Sequence, residues 1–354
     1  MKKHLMIFFT SVIAFSITVI ALVVYLDPFF HYHAPLKNFY YELDNERSQN
    51  WGIATFFDYD AIITGTSLTE HYKTSVFDEL FDTNSVKLPF AGATFYETGN
   101  VVKRAFETGH NLKMVFRSFD VNHVVEEKDA TRIDLGEYPE YLYNDKWWDD
   151  LPYVCNIDIF VKYCIPMLKG KLFNVNGGVT SFDEYQYGEY TAGEFFEERE
   201  PLSINEHQIE FTDEDYRLLR ENLEENVLSI AREHPETEFI YFIPPYNIIW
   251  WRDHAVSGDL DYMCVVMEKS AELMLEYDNI RLYSFADRYE YVTDLSLYQD
   301  EYHYSNDING EILNSIKDKR NLLTKENYKD YFAKIHQYFW SYDYEGLITD
   351  GYGS

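Results

Sequence analysis

From residue 58 onward, short apolar stretches alternate with longer stretches of helical pattern. Strands are predicted at residues 61–64, 86–88, 114–119, 238–243 and 280–283. Helices are predicted at residues 68–81, 95–107, 213–233 and 259–277, with a last one at 321–340. Strands that are separated by helices require right-handed crossover connections. The pattern therefore predicts an α/β fold in three layers, with a mostly parallel five-stranded sheet between helices.

Residues that could take part in binding or catalysis follow each predicted strand. In order along the chain they are Ser67, Gly92, the segment Asp120-Val121-Asn122, Pro244-Pro245, and the pair Asp300 and His303. Ligands of parallel sheets bind at the carboxyl ends of the strands. We therefore expect these residues to converge on one edge of the sheet.

The first of these positions is the most suggestive of chemistry. The segment Asp58–Glu70, DYDAIITGTSLTE, is typical of a buried strand that ends in a tight turn at Thr64 and Gly65. A serine at this point presents its hydroxyl to a ligand, and the helix amides behind it stabilise negative charge. Hydrolases of the α/β class place a nucleophile there. The alternative is that Ser67 only caps a helix.

A base for this serine is available near the other end of the chain. The segment YQDEYHYSNDING places Asp300 and His303 three residues apart, just before a predicted helix. A serine hydroxyl becomes an effective nucleophile when a histidine accepts its proton and a carboxylate orients that histidine. Asp120 and His123 have the same spacing. We prefer the later pair because of its place in the strand order.

The amino-terminal segment predicts a membrane helix. Lys2 and Lys3 precede an apolar run over residues 5–26, and Asp27 follows it. Twenty-two helical residues extend ~33 Å, enough to cross the hydrocarbon layer. The flanking charges favour a cytoplasmic amino terminus. A cleaved signal peptide is the competing interpretation, but Val24-Tyr25-Leu26 offers no small-residue cleavage site.

These features divide the chain into predicted parts. Residues 1–4 are expected to be cytoplasmic, residues 5–26 to form a transmembrane signal anchor, and residues 27–57 to form a stalk. Residues 58–354 would form the extracytoplasmic domain of a single-pass protein of the cell membrane. Residues 129–211 are an insertion rich in Tyr, Trp, Glu and Gly, interpreted either as a lid or substrate wall or as a surface subdomain.

Charge and cysteine content exclude some classes of function. The chain has 61 acidic and 30 basic residues, a net charge of −31, which excludes nucleic acid as a partner. Its three cysteines do not form a disulfide framework. The sequence has no phosphate-binding glycine loop and no His/Cys cluster with zinc spacing. We therefore expect no metal or nucleotide cofactor.

Over residues 58–323, the chain resembles the SGNH/GDSL superfamily of serine esterases and acyltransferases, whose sheet is flavodoxin-like. The family's first block, Gly-x-Ser, corresponds to Gly65-Thr66-Ser67, with Thr66 in place of the usual acid. The glycine of its second block corresponds to Gly92 in LPFAGATFYE. Its last block, Asp-x-x-His, corresponds to Asp300 and His303.

The third block of the family departs from its pattern here. The family has Gly-x-Asn-Asp, whose asparagine donates to the oxyanion, whereas this chain has RSFDVNH. Alignment on Asp120 puts Phe119 at the asparagine position, and Asn122 takes that role only if the turn is longer. Loss of one oxyanion donor typically slows turnover by ~10²–10³.

The resemblance is strongest to the membrane-anchored branch that includes the D-alanyl transfer protein of teichoic acids and the exopolysaccharide O-acetyltransferases. It implies that Ser67 is the nucleophile, His303 the base and Asp300 its orienting acid. The oxyanion donors would be the amides of Ser67 and Gly92, with Asn122. It also implies a cell-surface glycan or teichoic-acid-like polymer as acceptor, and a membrane-bound O-acyltransferase as partner.

Two other functions stay open at this point. One is a non-catalytic SGNH-fold subunit for glycan binding or assembly, which the third block and the aromatic insertion favour. The other is glycoside hydrolysis by a carboxylate pair, which requires two acids ~5 Å apart in a retaining enzyme.

Overall fold

The computed structural model describes residues 2–134, 136–185, 190–191 and 204–344. Parts of the predicted insertion, the first residue and the last ten residues therefore lie outside the described residues. Five strands form one sheet: β1 Ala61–Gly65, β2 Ser85–Pro89, β3 Met114–Ser118, β4 Glu238–Ile243 and β5 Ile280–Ser284. All neighbouring pairs are parallel, and the order is β2-β1-β3-β4-β5. The predicted α/β fold with a five-stranded parallel sheet is confirmed.

The strand order decides where a ligand site can form. The sheet reverses its winding direction between β1 and β3, so the crossover helices leave these two strands toward opposite faces. Ser67 follows β1, and Asn122 follows β3. Nearly every strand residue is buried, because helices cover the sheet on both faces and only apolar or internally bonded side chains fit there.

Helices connect and cover the strands. Their bounds are Lys2–Leu26, Glu46–Phe56, Thr74–Phe81, Phe95–Glu107, Leu151–Val154, Ile157–Ile159, Ile165–Leu172, Asp213–Leu223, Ser229–Glu233, Ile248–Ser257, Leu260–Met274, Tyr289–Val292, Asn306–Lys317 and Tyr328–Trp340. Two π-helical turns, Phe160–Cys164 and Glu224–Leu228, join their neighbours into continuous helices over 157–172 and 213–233. The helix Phe95–Glu107 begins with a capping box formed by Thr94 and Glu97, as its sequence favours.

Two predicted helices begin later than expected. Ser67–Thr69 is a single 3-10 turn, and the α-helix starts only at Thr74, because Lys73 adopts an extended conformation. The carboxyl-terminal helix starts at Tyr328 rather than at residue 321. Leu322 instead pairs with Tyr283 as an isolated bridge, which keeps the chain extended beside β5.

The predicted stalk contains an unpredicted helix, Glu46–Phe56. It buries the polar side chains of Gln49 and Asn50, which donate hydrogen bonds to backbone carbonyls of Pro28 and Pro89. Its missing apolar stripe explains why periodicity did not reveal it. Through these bonds the segment after the apolar helix packs on the sheet domain.

The amino-terminal helix Lys2–Leu26 is long and apolar enough to cross a membrane, a property that signal sequences share. Most of its side chains are exposed, and its buried residues, Val19, Val23 and Leu26, lie at its carboxyl-terminal end. This end contacts the insertion, whose residues Gly178–Val179 also pair in parallel with Tyr40–Tyr41.

Candidate active site

The end of β1 lies very close to the end of β3, its parallel neighbour in the sheet. Gly65 has φ of +131°, and an added Cβ would lie 3.0 Å from the backbone nitrogen of Ser118 and closer still to its hydroxyl. The Thr66 amide donates to that hydroxyl over 3.2 Å. Glycine is required here both for its positive φ and for this close approach. Ser67 begins the 3-10 turn that follows this close approach.

The structure brings the predicted serine, histidine and aspartate together. Ser67 Oγ lies 2.6 Å from Nε2 of His303. The other ring nitrogen, Nδ1, lies 2.7 Å and 2.9 Å from the two carboxylate oxygens of Asp300. A carboxylate can only accept, so Nδ1 carries the proton and Nε2 is left as the acceptor for the serine hydroxyl. The arrangement is that of a nucleophile, a general base and its orienting acid.

The loop that carries Asp300 and His303 is held by several hydrogen bonds. The amide of Gln299 donates to the carbonyl of His303 over 2.8 Å. The side chain of Asn247, which also caps the helix Ile248–Ser257, donates to the carbonyl of Asp300 over 2.9 Å. The ring of His303 is therefore placed before any substrate binds.

The Asp300 carboxylate remains ionised despite partial burial. Burial raises its pKa, but hydrogen bonds from the His303 ring and from the amides of His303 and Tyr302 outweigh it, so the pKa lies below its usual value. The two amide bonds are 2.8 Å and 2.9 Å long. A fixed negative charge beside Nδ1 favours the imidazolium that forms when His303 accepts a proton.

The turn that contains Gly92 is clamped by charged residues that the sequence did not reveal. Glu46 accepts from the amide of Ala91 over 2.7 Å, and Arg47 donates to the Ala91 carbonyl over 3.0 Å. Arg132, from the start of the predicted insertion, donates to the Gly92 carbonyl over 3.1 Å. Glu46 and Arg47 lie far away in sequence, in the predicted stalk, so no local spacing marks them.

The clamp leaves the Gly92 amide available. Gly92 has φ of +58°, and within the residues that the structure describes its N–H donates to no protein group. The first amide of a helical turn likewise has no partner inside the turn, which applies to Ser67. The amide of Phe90 donates to the carbonyl of Gly65 over 2.9 Å, tying this turn to the end of β1.

The residues after β3 bond to one another. The amide side chain of Asn122 donates to Asp120 Oδ1 over 2.9 Å, and the hydroxyl of Tyr246 donates to the same oxygen over 3.0 Å. Phe119 is fully buried and its ring packs edge-on against Phe95 at 5.3 Å. In the structure the Asn122 side chain is bonded to Asp120, and its oxyanion role stays a prediction.

The second Asp-x-x-His spacing does not form an Asp–His pair. Nδ1 of His123 lies 3.0 Å from Glu126, and Arg132 donates to its Nε2 over 3.0 Å. Asp120 is engaged by Asn122 and Tyr246 instead. The preference for Asp300 and His303 thus agrees with the contacts that each pair makes.

A buried group of titratable side chains lies behind the 3-10 turn of Ser67. Burial, and then the neighbouring carboxyl of Glu46, raise the pKa of Glu70 to about 8. Lys87 donates to the Glu70 carbonyl over 2.6 Å, and burial lowers its pKa to about 7. Burial, and then repulsion from His303 when its ring is protonated, lower the pKa of His71. None of these residues was predicted as part of the site, because Glu46 and Lys87 come from other segments of the chain and no motif marks Glu70 or His71.

The described residues hold no group of three His, Cys, Asp or Glu side chains arranged to bind a metal ion. Cys155, Cys164 and Cys264 are separate thiols. Beside His303, Tyr302 packs edge-on against Tyr246 at 6.1 Å, whereas Trp147 and Trp148 in the predicted insertion are exposed.

Comparison with known proteins gives little further information. No family model matches the chain, and no curated protein matches it. A solved structure from Streptococcus pneumonia, provisionally described as a platelet activating factor, is 14% identical and has a TM-score of 0.37. The match covers 81% of this chain and 91% of that one. A likeness of this strength establishes neither a family nor an activity.

Proposed function

We propose that this protein is a membrane-anchored, extracytoplasmic serine esterase or O-acyltransferase of the SGNH type. Its substrates would be acyl esters of a cell-surface polysaccharide or teichoic-acid-like polymer. One observation carries the proposal: the Ser67 hydroxyl lies 2.6 Å from a His303 nitrogen whose ring is oriented by Asp300. Two loops that are 236 residues apart meet with the atoms in the order that acyl transfer requires.

The chemistry would proceed in two steps. His303 Nε2 accepts the hydroxyl proton while Ser67 Oγ bonds to the ester carbonyl carbon, and the oxyanion accepts from the amides of Ser67 and Gly92. Collapse breaks the bond to the alcohol, which leaves with the proton from His303. Water or a sugar hydroxyl then gives its proton to His303 and attacks the acyl-serine carbonyl. The bond to Ser67 Oγ breaks, His303 returns the proton to Oγ, and the product is an acid or a new ester.

The acceptor and the partner follow from the resemblance rather than from the site. Members of that branch act on extracellular polymers, and a membrane-bound O-acyltransferase would deliver the acyl group. The helix Lys2–Leu26, which is apolar enough to cross a membrane, supports attachment beside such a partner. The acidic character of the chain fits a role that involves no nucleic acid.

A fluorophosphonate probe tests the proposal on the full chain in detergent. We expect the wild type to be labelled, Ser67→Ala to lose the label, and His303→Ala to be labelled more slowly. Ser341→Ala, at an exposed serine directly after the last helix, is the matched control and should be labelled like the wild type. Labelling that persists in Ser67→Ala would contradict the assigned nucleophile.

A non-catalytic glycan-binding or assembly subunit is the second candidate. The contacts after β3 favour it, because Asn122 is bonded to Asp120 and Phe119 is buried where the family has its asparagine. In that case the wild type would not react with the probe, yet it would be retained on a column of immobilised polysaccharide. Retention that is unchanged in Ser67→Ala would strengthen this alternative.

A further inference from the structure

Exposed apolar side chains are concentrated in one part of the predicted insertion. We call residues 151–175 the foot segment; it contains the helices Leu151–Val154 and Ile165–Leu172. Its large apolar residues that are at least half exposed are Leu151, Ile157, Val161, Leu172, Phe173 and Val175. Trp147 and Trp148, which are 78% and 63% exposed, directly precede it. Apolar patches of this kind mark contact with a protein or a membrane.

The foot segment packs against the outer end of the amino-terminal helix. The hydroxyl of Tyr153 donates to Asp27 over 2.7 Å, directly after that helix ends. Phe29 stacks on Tyr153 at 5.3 Å and meets Tyr163 edge-on at 5.0 Å. The segment thus buries one face against the anchor region and turns its other face outward.

These contacts fix the height of the segment relative to a bilayer. The buried residues of the helix lie between Val19 and Leu26, a stretch that is ~10 Å long. If the helix crosses a hydrocarbon layer of ~30 Å, this stretch occupies its outer third. Because the segment also contacts Asp27 and Phe29, just beyond the helix, its exposed face then lies at the boundary between the acyl chains and the outer headgroups, where indole rings are enriched.

The charge of the segment differs from that of the chain as a whole. Residues 151–175 contain Lys162, Lys169 and Lys171 and a single acid, Asp158, whereas the whole chain has about two acids for each base. Lysines beside apolar side chains extend their ammonium groups to phosphates at the membrane surface. An acidic protein would otherwise be repelled by anionic lipid, so a local excess of positive charge at this height favours a lipid surface as the occupant.

We propose that the foot segment is embedded in the outer interface of the bilayer, as a second membrane contact beside the anchor helix. Its apolar side chains enter the boundary between headgroups and acyl chains. Lys169 and Lys171 contact anionic phospholipid, whereas Lys162 is paired with Asp44 over 3.0 Å. Two contacts, unlike one, prevent the domain from swinging on its anchor. The site would then act only on esters presented at a fixed height above the membrane. The inference rests on the membrane anchoring within the proposed function.

Spin labels on the full chain test this contact. Single cysteines are introduced by Leu172→Cys, Val161→Cys and, as controls, Ile13→Cys in the anchor helix and Val256→Cys on the helix Ile248–Ser257. Cys155→Ser removes the one exposed native thiol, since Cys164 and Cys264 are buried. The proteins are reconstituted in vesicles of phosphatidylcholine, with and without phosphatidylglycerol. The nitroxides are compared for their accessibility to oxygen, which concentrates in lipid, and to a water-soluble nickel complex.

We expect a severalfold higher ratio of oxygen to nickel accessibility at positions 172 and 161 than at 256, approaching the value at 13. Phosphatidylglycerol should raise the ratio further, and Lys169→Glu with Lys171→Glu should cancel that rise. A lipid-like ratio at 13 with a water-like ratio at 172 would overturn the foot contact alone. A water-like ratio at 13 would overturn the anchor and the foot together, while leaving probe labelling of Ser67 untouched. Low accessibility to both reagents, with spin–spin broadening, would show that a second copy covers the segment instead.

Discussion

The ends of β1 and β3 are neighbours in the sheet, yet their polar side chains are used in opposite ways. After β1, the hydroxyl of Ser67 contacts the ring of His303, which comes from the far end of the chain. After β3, the Asp120 carboxylate accepts from Asn122, two residues away, and from Tyr246. The end of β1 therefore presents a hydroxyl in contact with an imidazole at the reversal of the sheet. At the end of β3, the polar side chains form hydrogen bonds with one another and so stabilise the turn.

The largest effect is expected from a change that disrupts the contact between Ser67 and His303 and leaves the residues after β3 unchanged. In Asp300→Asn, the amide side chain can donate to Nδ1 and thereby favours the tautomer that cannot accept from Ser67. Labelling by the fluorophosphonate should slow by about 10⁴-fold, as for the equivalent change in serine proteases. The fold should persist, which circular dichroism of the full chain can verify.

Glu301→Gln is the matched control for this change, because it neutralises the next acid along the same loop. We expect its labelling rate to stay close to that of the wild type. Equal losses in the two variants would mean that the loop's net charge matters and that the contact between Asp300 and His303 does not.

The contrast between the two strand ends also shows what the sequence could reveal. The pair Asp300 and His303 was predictable because its two members lie one turn apart and follow the last strand. The serine was predictable because a glycine and a turn follow an apolar strand. Each half carries a local signal, and the parallel sheet guarantees that the strand ends meet.

The supporting contacts carry no such signal. Glu46 and Arg47 reach the Gly92 turn from a segment predicted as a stalk, and Arg132 reaches it from the insertion. These are single charged residues in a chain that has many, so only the packing of distant segments selects them. The helix Glu46–Phe56 escaped for a related reason, since it buries amide side chains where a periodic pattern requires apolar ones.

The second largest effect is expected where the end of β1 lies closest to the end of β3. In Gly65→Ala, the new methyl group would meet Ser118 on β3 while the residue is held at φ of +131°. Backbone strain and overpacking each cost ~1–3 kcal/mol, so the free energy of unfolding should fall by about 3 kcal/mol. Labelling of Ser67 should fall with it.

Gly109→Ala separates these two causes, because its φ of +87° is also unfavourable but no atom lies within 4 Å of the added Cβ. It should lose only about 1–2 kcal/mol, from strain alone. Chemical unfolding of both variants in detergent checks the difference. A Gly65 variant no less stable than the Gly109 variant would mean that β1 and β3 move apart at Ser118 without a loss of stability.

A smaller effect is expected from Asn122→Ala, which sharpens the comparison at β3. Because its side chain is bonded to Asp120, we expect labelling to slow by less than about tenfold, whereas loss of an oxyanion donor costs ~10²–10³. The rate of acyl-enzyme formation with an activated ester measures the same quantity. A hundredfold loss would show that Asn122 leaves Asp120 and donates to the oxyanion during turnover.

The smallest effect compares the carboxyl groups that support the two strand ends. Asp120 accepts from several donors. Glu70, behind Ser67, is buried and also faces a second acid, Glu46, so burial and then Glu46 raise its pKa from 4.5 to about 8. The folded state then holds a proton that the unfolded chain releases above pH 4.5. This contribution to stability is complete at low pH and declines as the pH rises toward 8. Above pH 7 the lowered pKa of Lys87 acts in the opposite direction, so the decline is clearest between pH 5 and 7.

Glu70→Gln, which mimics the protonated acid, should remove this decline and leave the variant relatively more stable as the pH rises. We expect the stability difference from the wild type to change by about 1 kcal/mol per pH unit, close to the limit of ~1.4 kcal/mol for one proton. The measurement is the midpoint of chemical unfolding at pH 5, 6 and 7. Glu79→Gln, at an exposed acid on the helix Thr74–Phe81, should run parallel to the wild type. If Glu70→Gln also ran parallel, the carboxyl would be ionised in the fold. The carboxyl groups of Glu70 and Asp120 would then not distinguish the two strand ends. The contrast between them would consist only of the contact between Ser67 and His303.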